Sequence, residues 1–391
     1  MSRNAAVPVM PLTEVRYRGT IENLRRDIQA LDVDAVLLLD THNVVYASGF
    51  FHSPNERPIG LLVPVNGPPR LLVPLLEKEH AEDNWVGHVQ TYDEFPGTEH
   101  PVLWMIRTSG YRRIAVDTLE TRLFMAASEL VDSLVLTDCV ERLRYIKTDA
   151  ELALVRAAAR YADMVLEAIL HESGNIIRRG GTEIDILAAG LTHAQAAMKR
   201  ELGPAFGPTK CGLVGTVHTG VRASLPHGKT LPRTPVFGEP MIAGIGASVG
   251  GYHAESGVTF AIGGITDDQR PCFEAAIACD AAGRAALVPG ASCQGVNEAA
   301  LQPIRRAGLS SFLRHRIGHG MGVQGHEAPW LAPGDDTPVQ VGMVFSNEPG
   351  IYRPGLDGYR TISTMIVGSD GVEVPSRFQA EHPLEKRVIS L

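Results

Sequence analysis

Paired cysteines are missing from this sequence. Its five cysteines, Cys139, Cys211, Cys272, Cys279 and Cys293, are odd in number, scattered and without any C-x-x-C spacing. That argues against a disulfide framework or a zinc ribbon, and reduced thiols in the cytoplasm are the simple reading. Basic charge is also short. The chain has 36 Lys and Arg against 44 Asp and Glu, a net charge of −8. Such a balance argues against a surface that follows phosphate backbones, so no nucleic-acid partner is expected. No apolar run reaches the roughly 18 residues that a membrane helix needs. The opening MSRNAAVPVMPLTEVRYRG lacks the apolar core of a signal peptide. The expectation is a cytoplasmic protein with no membrane partner.

What is present suffices for two domains. The chain has 391 residues, 44% of them hydrophobic and 20% charged, which excludes disorder and supports a full core. Short apolar runs at 34–39, 60–64, 71–74, 113–117 and 134–137 are separated by turn residues and read as buried strands. Helical stretches fall at 12–31, 76–82, 99–109 and 119–130. This alternation predicts a small α/β domain over 1–147, with 148–391 as a second domain. Thr148 and Glu151 have the spacing of a capping box, and Leu154, Ala158, Tyr161 and Val165 continue with helical period. A similar opening recurs from Thr266. Both helices precede glycine-rich strand pairs, which suggests an internal duplication of a helix-plus-hairpin unit.

Three glycine-rich runs carry titratable residues. In GIGASVGGYHAESGVTF, strand alternation places His253, Glu255, Gly257 and Thr259 on one face, and Gly250 and Gly251 suit a hairpin turn. By itself this is an ordinary hairpin with an exposed Glu. HRIGHGMGVQGHEAPWL holds His315, His319 and His326 among glycines that allow close backbone approach. His315 suits a satisfied structural role. GMVFSNEPGIY delivers Glu348 at a strand end, where a catalytic or a turn-capping role is equally open. LPHGK supplies His227, a loop histidine when taken alone. GYRTIST places Arg360 and Ile362 on one strand face.

Taken in order, NVVYASGF, LRYIKTDAELALVRAAA, LPHG, GIGASVGGYHAESGVTF, GHGMGVQGHEAP, NEPGIY and GYRTIST resemble the creatinase, prolidase and methionine-aminopeptidase family. The resemblance covers most of the chain. It implies an α/β fold in which a small N-terminal α/β domain precedes a C-terminal pita-bread domain with a pseudo-twofold helix-plus-hairpin repeat. The family's metallopeptidases hold two metal ions with two Asp, one His and two Glu. Here those positions fall on Gly244, Glu255, His319, Glu348 and Ile362. Glycine and isoleucine offer no donor atom, so a two-metal bridge is not expected. Metal-free members such as creatinase also have Glu at the position of Glu255. The resemblance therefore implies acid–base or nucleophilic work with no metal and no cofactor.

Within the metal-free branch the sequence is most similar to the ectoine hydrolases. The implied reaction opens the cyclic amidine of ectoine, with hydroxyectoine as a further candidate, to N-acetyl-2,4-diaminobutyrate. Glu255 is the expected nucleophile or general base, and Glu348 the partner of an amidine N–H. His227 is the expected proton shuttle, and His319 and His326 the positioning or relay groups. Arg360 and Arg57 are candidates for a substrate carboxylate. Phe50, Phe51, Tyr252 and Trp330 are candidate pocket walls, each equally suited to core packing. By resemblance, Arg57 crosses to a partner's site, which implies a homodimer. A deacetylase is the implied functional partner. Three alternatives stay open: a creatinase-like amidinohydrolase, a mononuclear metal-dependent peptidase or lyase on Glu255, His319 and Glu348, and a non-catalytic binding module.

Overall fold

The computed structural model describes residues 9–391. The chain separates into two compact units, one of residues 12–144 and one holding residues 145–391.

The N-terminal unit alternates α1 (Glu14–Gln29), β1 (Ala35–Leu38), α2 (Thr41–Ser48), β2 (Gly60–Pro64), β3 (Arg70–Pro74), α3 (Lys78–Glu82), β4 (Val89–Tyr92), α4 (Pro101–Ser109), β5 (Arg113–Val116), α5 (Thr121–Ser128), β6 (Ser133–Leu136) and α6 (Cys139–Tyr145). Its strands form one mixed sheet in the order β4-β3-β2-β1-β5-β6. Leu37, Leu62, Leu72, Ile114 and Val116 pack with Met105 and Ile106 of α4 in a single core. Each such side chain taken from water contributes about 1.5–3 kcal/mol. The expected strands and the four expected helices are present. Helices α2 and α6 and strand β4 are additional to the elements that the sequence pattern predicts.

The C-terminal unit opens with α7 (Asp149–Arg178), whose Thr148–Glu151 capping box is formed as expected. There follow α8 (Glu183–Leu202), β7 (Gly212–Thr219), β8 (Pro240–Val249) and β9 (Tyr252–Ile262). Gly250 and Gly251 both have positive φ, +58° and +85°, the backbone that a tight β8–β9 turn demands. The second half repeats the plan. The helix pair α9 (Arg270–Ala286) and α10 (Cys293–Arg306) precedes β10 (Gly318–Gly320), β11 (Glu327–Leu331), β12 (Val344–Asn347), β13 (Gly350–Arg353), β14 (Asp357–Arg360) and β15 (Ile362–Val367). Thr266 and Gln269 exchange side-chain-to-backbone hydrogen bonds before α9, echoing the start of α7. One sheet runs β11-β10-β12-β15-β9-β8-β7, so strands from both halves meet at the β15–β9 pair. Among the described residues, no helix is long and apolar enough to cross a membrane.

Candidate active site

The candidate residues gather on one face of the C-terminal sheet, and the register explains why. Across β8 and β9, Gly246 stands opposite Glu255, Gly244 opposite Gly257 and Ile242 opposite Thr259. Directly opposed residues of an antiparallel pair project to the same side. The face continues through Ile362, which pairs with Gly257. It reaches Ser346 through Thr364, and His319 through Ser346. Distant segments therefore converge because strand pairing fixes their alternation.

Glu255 is tightly held. Its N–H donates to Thr364 Oγ1 at 2.8 Å, and its carbonyl accepts from that hydroxyl at 2.7 Å. Ser346 donates to its Oε2 at 2.8 Å. His319 is fully buried, and its Nδ1 meets the Gly320 carbonyl at 3.0 Å. A carbonyl only accepts, so Nδ1 carries the proton and Nε2 offers its lone pair. Among the described residues, that Nε2 has no hydrogen-bond partner. It lies 3.9 Å from Glu255 Oε2 and 3.6 Å from Glu348 Oε1. His326 stacks on His319 with centroids 3.8 Å apart, and its Nε2 lies 3.9 Å from Glu255 Oε1.

These surroundings shift the titrations. Burial pushes the Glu255 carboxyl up, opposed by the Ser346 hydrogen bond and by the electrostatic influence of the neighbouring His326 and Arg360. Burial lowers His319 to about 4, only partly countered by Glu348. At neutral pH His319 is therefore an uncharged acceptor, and Glu255 is a stronger base than an exposed glutamate.

The place of the two missing ligands is filled. A Cβ on Gly244 would stand 2.9 Å from Arg360 Nη2 and 3.2 Å from Ile362 Cδ1. A Cβ on Gly257 would stand 2.7 Å from that same Cδ1. The Ile362 side chain thus lies across the glycine floor, and the Arg360 guanidinium covers Gly244. With no donors there and a cation beside them, the residues do not fit a two-metal centre. A single ion is different. Donor atoms of Glu255, His319 and His326 all lie within 4.8 Å of one another, and His319 Nε2 is free. A two-His, one-carboxylate set fits one divalent ion. The donor expected beside His319 was Glu348. The third member of this cluster is instead His326, although Glu348 adjoins it.

Other expected residues are placed differently. Tyr252 is not a pocket wall. It is 3% exposed and its hydroxyl donates to Glu151 on α7, on the side of the sheet opposite Glu255. Trp330 carries the Arg316 guanidinium 4.6 Å over its ring. Arg57 and Phe51 belong to the N-terminal unit, where Arg57 pairs with Glu56 and Glu94. His227 is exposed, with His315 in its electrostatic range. His315 is satisfied as expected, by Tyr352 Oη at 2.9 Å and the Arg316 carbonyl.

His218 joins this face without any signal in the sequence. It lies on β7 opposite Ile242, hence on the same face as Glu255. It is fully buried, and burial together with the charges of Arg360 and Arg222 lowers it to about 3. This sets a pH dependence. The unfolded imidazole titrates near 6.5 and the folded one near 3, so the unfolded state binds the extra proton in between. Stability falls as pH drops below 6.5, by about 3 kcal/mol at pH 4 from this group. Urea denaturation at pH 7 and pH 4 should show His218→Gln losing less stability than the parent by about that amount.

The sequence matches the model of metallopeptidase family M24 over residues 153–369 and that of the creatinase/prolidase N-terminal domain over 20–146. It is 28% identical to an Xaa-Pro dipeptidase of Lactobacillus delbrueckii subsp. lactis over 360 residues, covering 90% of this chain and 95% of the relative. Its fold superposes on dipeptidase PepE from Mycobacterium ulcerans with a TM-score of 0.84 and 23% identity, covering 97% and all of the respective chains. An Xaa-Pro dipeptidase from Bacillus anthracis gives a TM-score of 0.77 and 24% identity over 92% of this chain and 98% of its own. The M24 match spans more than half of the chain, including every strand of the described site, and the chain belongs to metallopeptidase family M24.

Proposed function

We propose that this chain hydrolyses a C–N bond of a small carboxylate-bearing substrate without the two-metal bridge of its family. The observation that carries this is the occupation of the bridge site by Ile362 and Arg360 over Gly244 and Gly257. Glu255 is the reacting group, as general base toward water or as nucleophile. In the general-base form, water adds its oxygen to the electrophilic carbon and yields a proton to Glu255. The C–N bond then breaks, and the departing nitrogen takes a proton through His227. Glu348 pairs with a substrate N–H. Ser346 keeps Glu255 oriented, and the stacked His319 and His326 beside it relay protons.

A reactive amidine carbon suits such a site better than a peptide carbonyl, which gains most from a Lewis acid. Ectoine, a cyclic amidine with a carboxylate, is therefore the first substrate to try, and hydroxyectoine the second. A homodimer and a downstream deacetylase go with this reading.

A second reading is favoured by the Glu255, His319 and His326 donor geometry. It is cleavage of Xaa-Pro dipeptides with one divalent ion held by those three residues, which would supply an activated water. The dipeptidase names of the relatives support this substrate better than they support ectoine. Incubating the purified protein with ectoine, creatine and an Xaa-Pro dipeptide separates the readings. Ring opening of ectoine is expected. Cleavage of the dipeptide alone would replace the first reading by the second.

A further inference from the structure

We infer that Arg360 and His218 form an oxyanion subsite that holds the carboxylate of the substrate on the same sheet face as Glu255. The inference rests on the proposed hydrolase reading for its purpose, but not for its geometry.

Two buried polar groups are left incomplete here. His218 is 0% exposed, and among the described residues neither ring nitrogen has a hydrogen-bond partner. Its backbone is not loose. Val217 N–H donates to Thr230 Oγ1 at 2.9 Å, while Thr219 donates from N and Oγ1 to buried Glu183 at 2.9 and 2.7 Å. The strand is pinned on both sides of a ring whose own valences are open. A buried donor without a partner is costly to keep.

Arg360 is 8% exposed, and its Nε is likewise unpartnered among the described residues. Nη1 donates to the Pro226 carbonyl at 3.0 Å. Nε and Nη2 share the other edge of the planar fork, and Nη2 lies over Gly244. A carboxylate matches that edge with two parallel hydrogen bonds. A Cβ on Gly228 would stand 2.7 Å from His218 Cδ2, and Pro226, two residues earlier, accepts from Arg360, so both groups border the same loop. His218 is uncharged there and adds a donor without adding a second positive charge.

Together they specify a ligand with one planar monoanionic group. Between this subsite and Glu255 lies the apolar Ile362 side chain on Gly244 and Gly257. The substrate class is thus a compact molecule with a carboxylate at one end, a short apolar middle and the scissile C–N bond at the other end.

The test is histidine-selective ¹⁵N NMR of the whole protein during titration with sodium acetate, with sodium chloride as the ionic-strength control. One buried imidazole should respond to acetate and not to chloride, and the response should disappear in His218→Gln. Arg360→Gln should weaken acetate at least about tenfold, the scale of a lost charge-assisted pair. Should that variant not fold, Arg360→Lys keeps the charge, loses the fork, and should weaken acetate by a smaller factor. Glu255→Gln should leave the response intact. An acetate response without turnover of any substrate would sink the hydrolase reading and keep the subsite. Absence of an acetate-specific response, or equal affinity in the Arg360 variants, overturns the subsite.

Discussion

Glu255→Gln is expected to lower kcat by about 10²- to 10⁴-fold, the range that a positioned general base supplies. The fold should survive. Gln keeps the shape, and the Thr364 contacts that hold residue 255 are to its backbone. Ser346 can still donate to an amide oxygen in place of Oε2. The loss should therefore fall on kcat and not on thermal stability. The pH profile adds a sharper signature. Burial raises Glu255 above the ordinary glutamate value of 4.5, so the acidic limb of kcat/KM should lie above that value. As a base, Glu255 works deprotonated, so activity rises with pH through this limb. The Gln variant should lose the limb along with the rate. A Gln variant retaining parental turnover would remove Glu255 from the chemistry.

The second large effect concerns metal. Gly244→Asp with Ile362→Glu should convert the chain into one that binds two divalent ions. The parent, offering the Glu255, His319 and His326 donors, should bind no more than one. The Asp is sterically affordable, because the nearest atom to a new Cβ at 244 is the end of the flexible Arg360 side chain. Replacing Ile362 removes the methyl group lying over Gly257. Elemental analysis after equilibration with manganese, cobalt or zinc reads the stoichiometry. Two ions per chain in the parent would contradict the account given for Gly244 and Ile362.

Parts of this structure were legible in the sequence where a local rule acts alone. The Thr148–Glu151 box needs only two side chains and three residues of helix. The Gly250–Gly251 turn follows from positive φ. Period-two alternation placed Glu255, Gly257 and Thr259 on one face, as the register shows. That same alternation puts Tyr252 on the other face, so its candidacy as a pocket wall conflicted with the rule that placed Glu255. Helix α2 was less legible. Its buried face includes Asn43 and Ser48, which blur the apolar period, although Asp40 caps it by accepting from His42 and Asn43.

Long-range facts were not legible. A lone histidine in GLVGTVHTG carries no spacing signal. His218 becomes notable only when strand pairing brings it to the face of Arg360 and leaves its nitrogens unpartnered. The loss of donors at Gly244 and Ile362 could be read from the chain. That Ile362 and Arg360 fill the vacated volume required the packing.

The most direct test of the central claim is proton NMR of ectoine added to protein dialysed against a strong chelator, with residual metal quantified in the same sample. The account predicts conversion of the ring signals to those of an N-acetylated diamino acid with far less than one ion per chain. No conversion, combined with cleavage of an Xaa-Pro dipeptide that returns only when a divalent ion is restored, would contradict it.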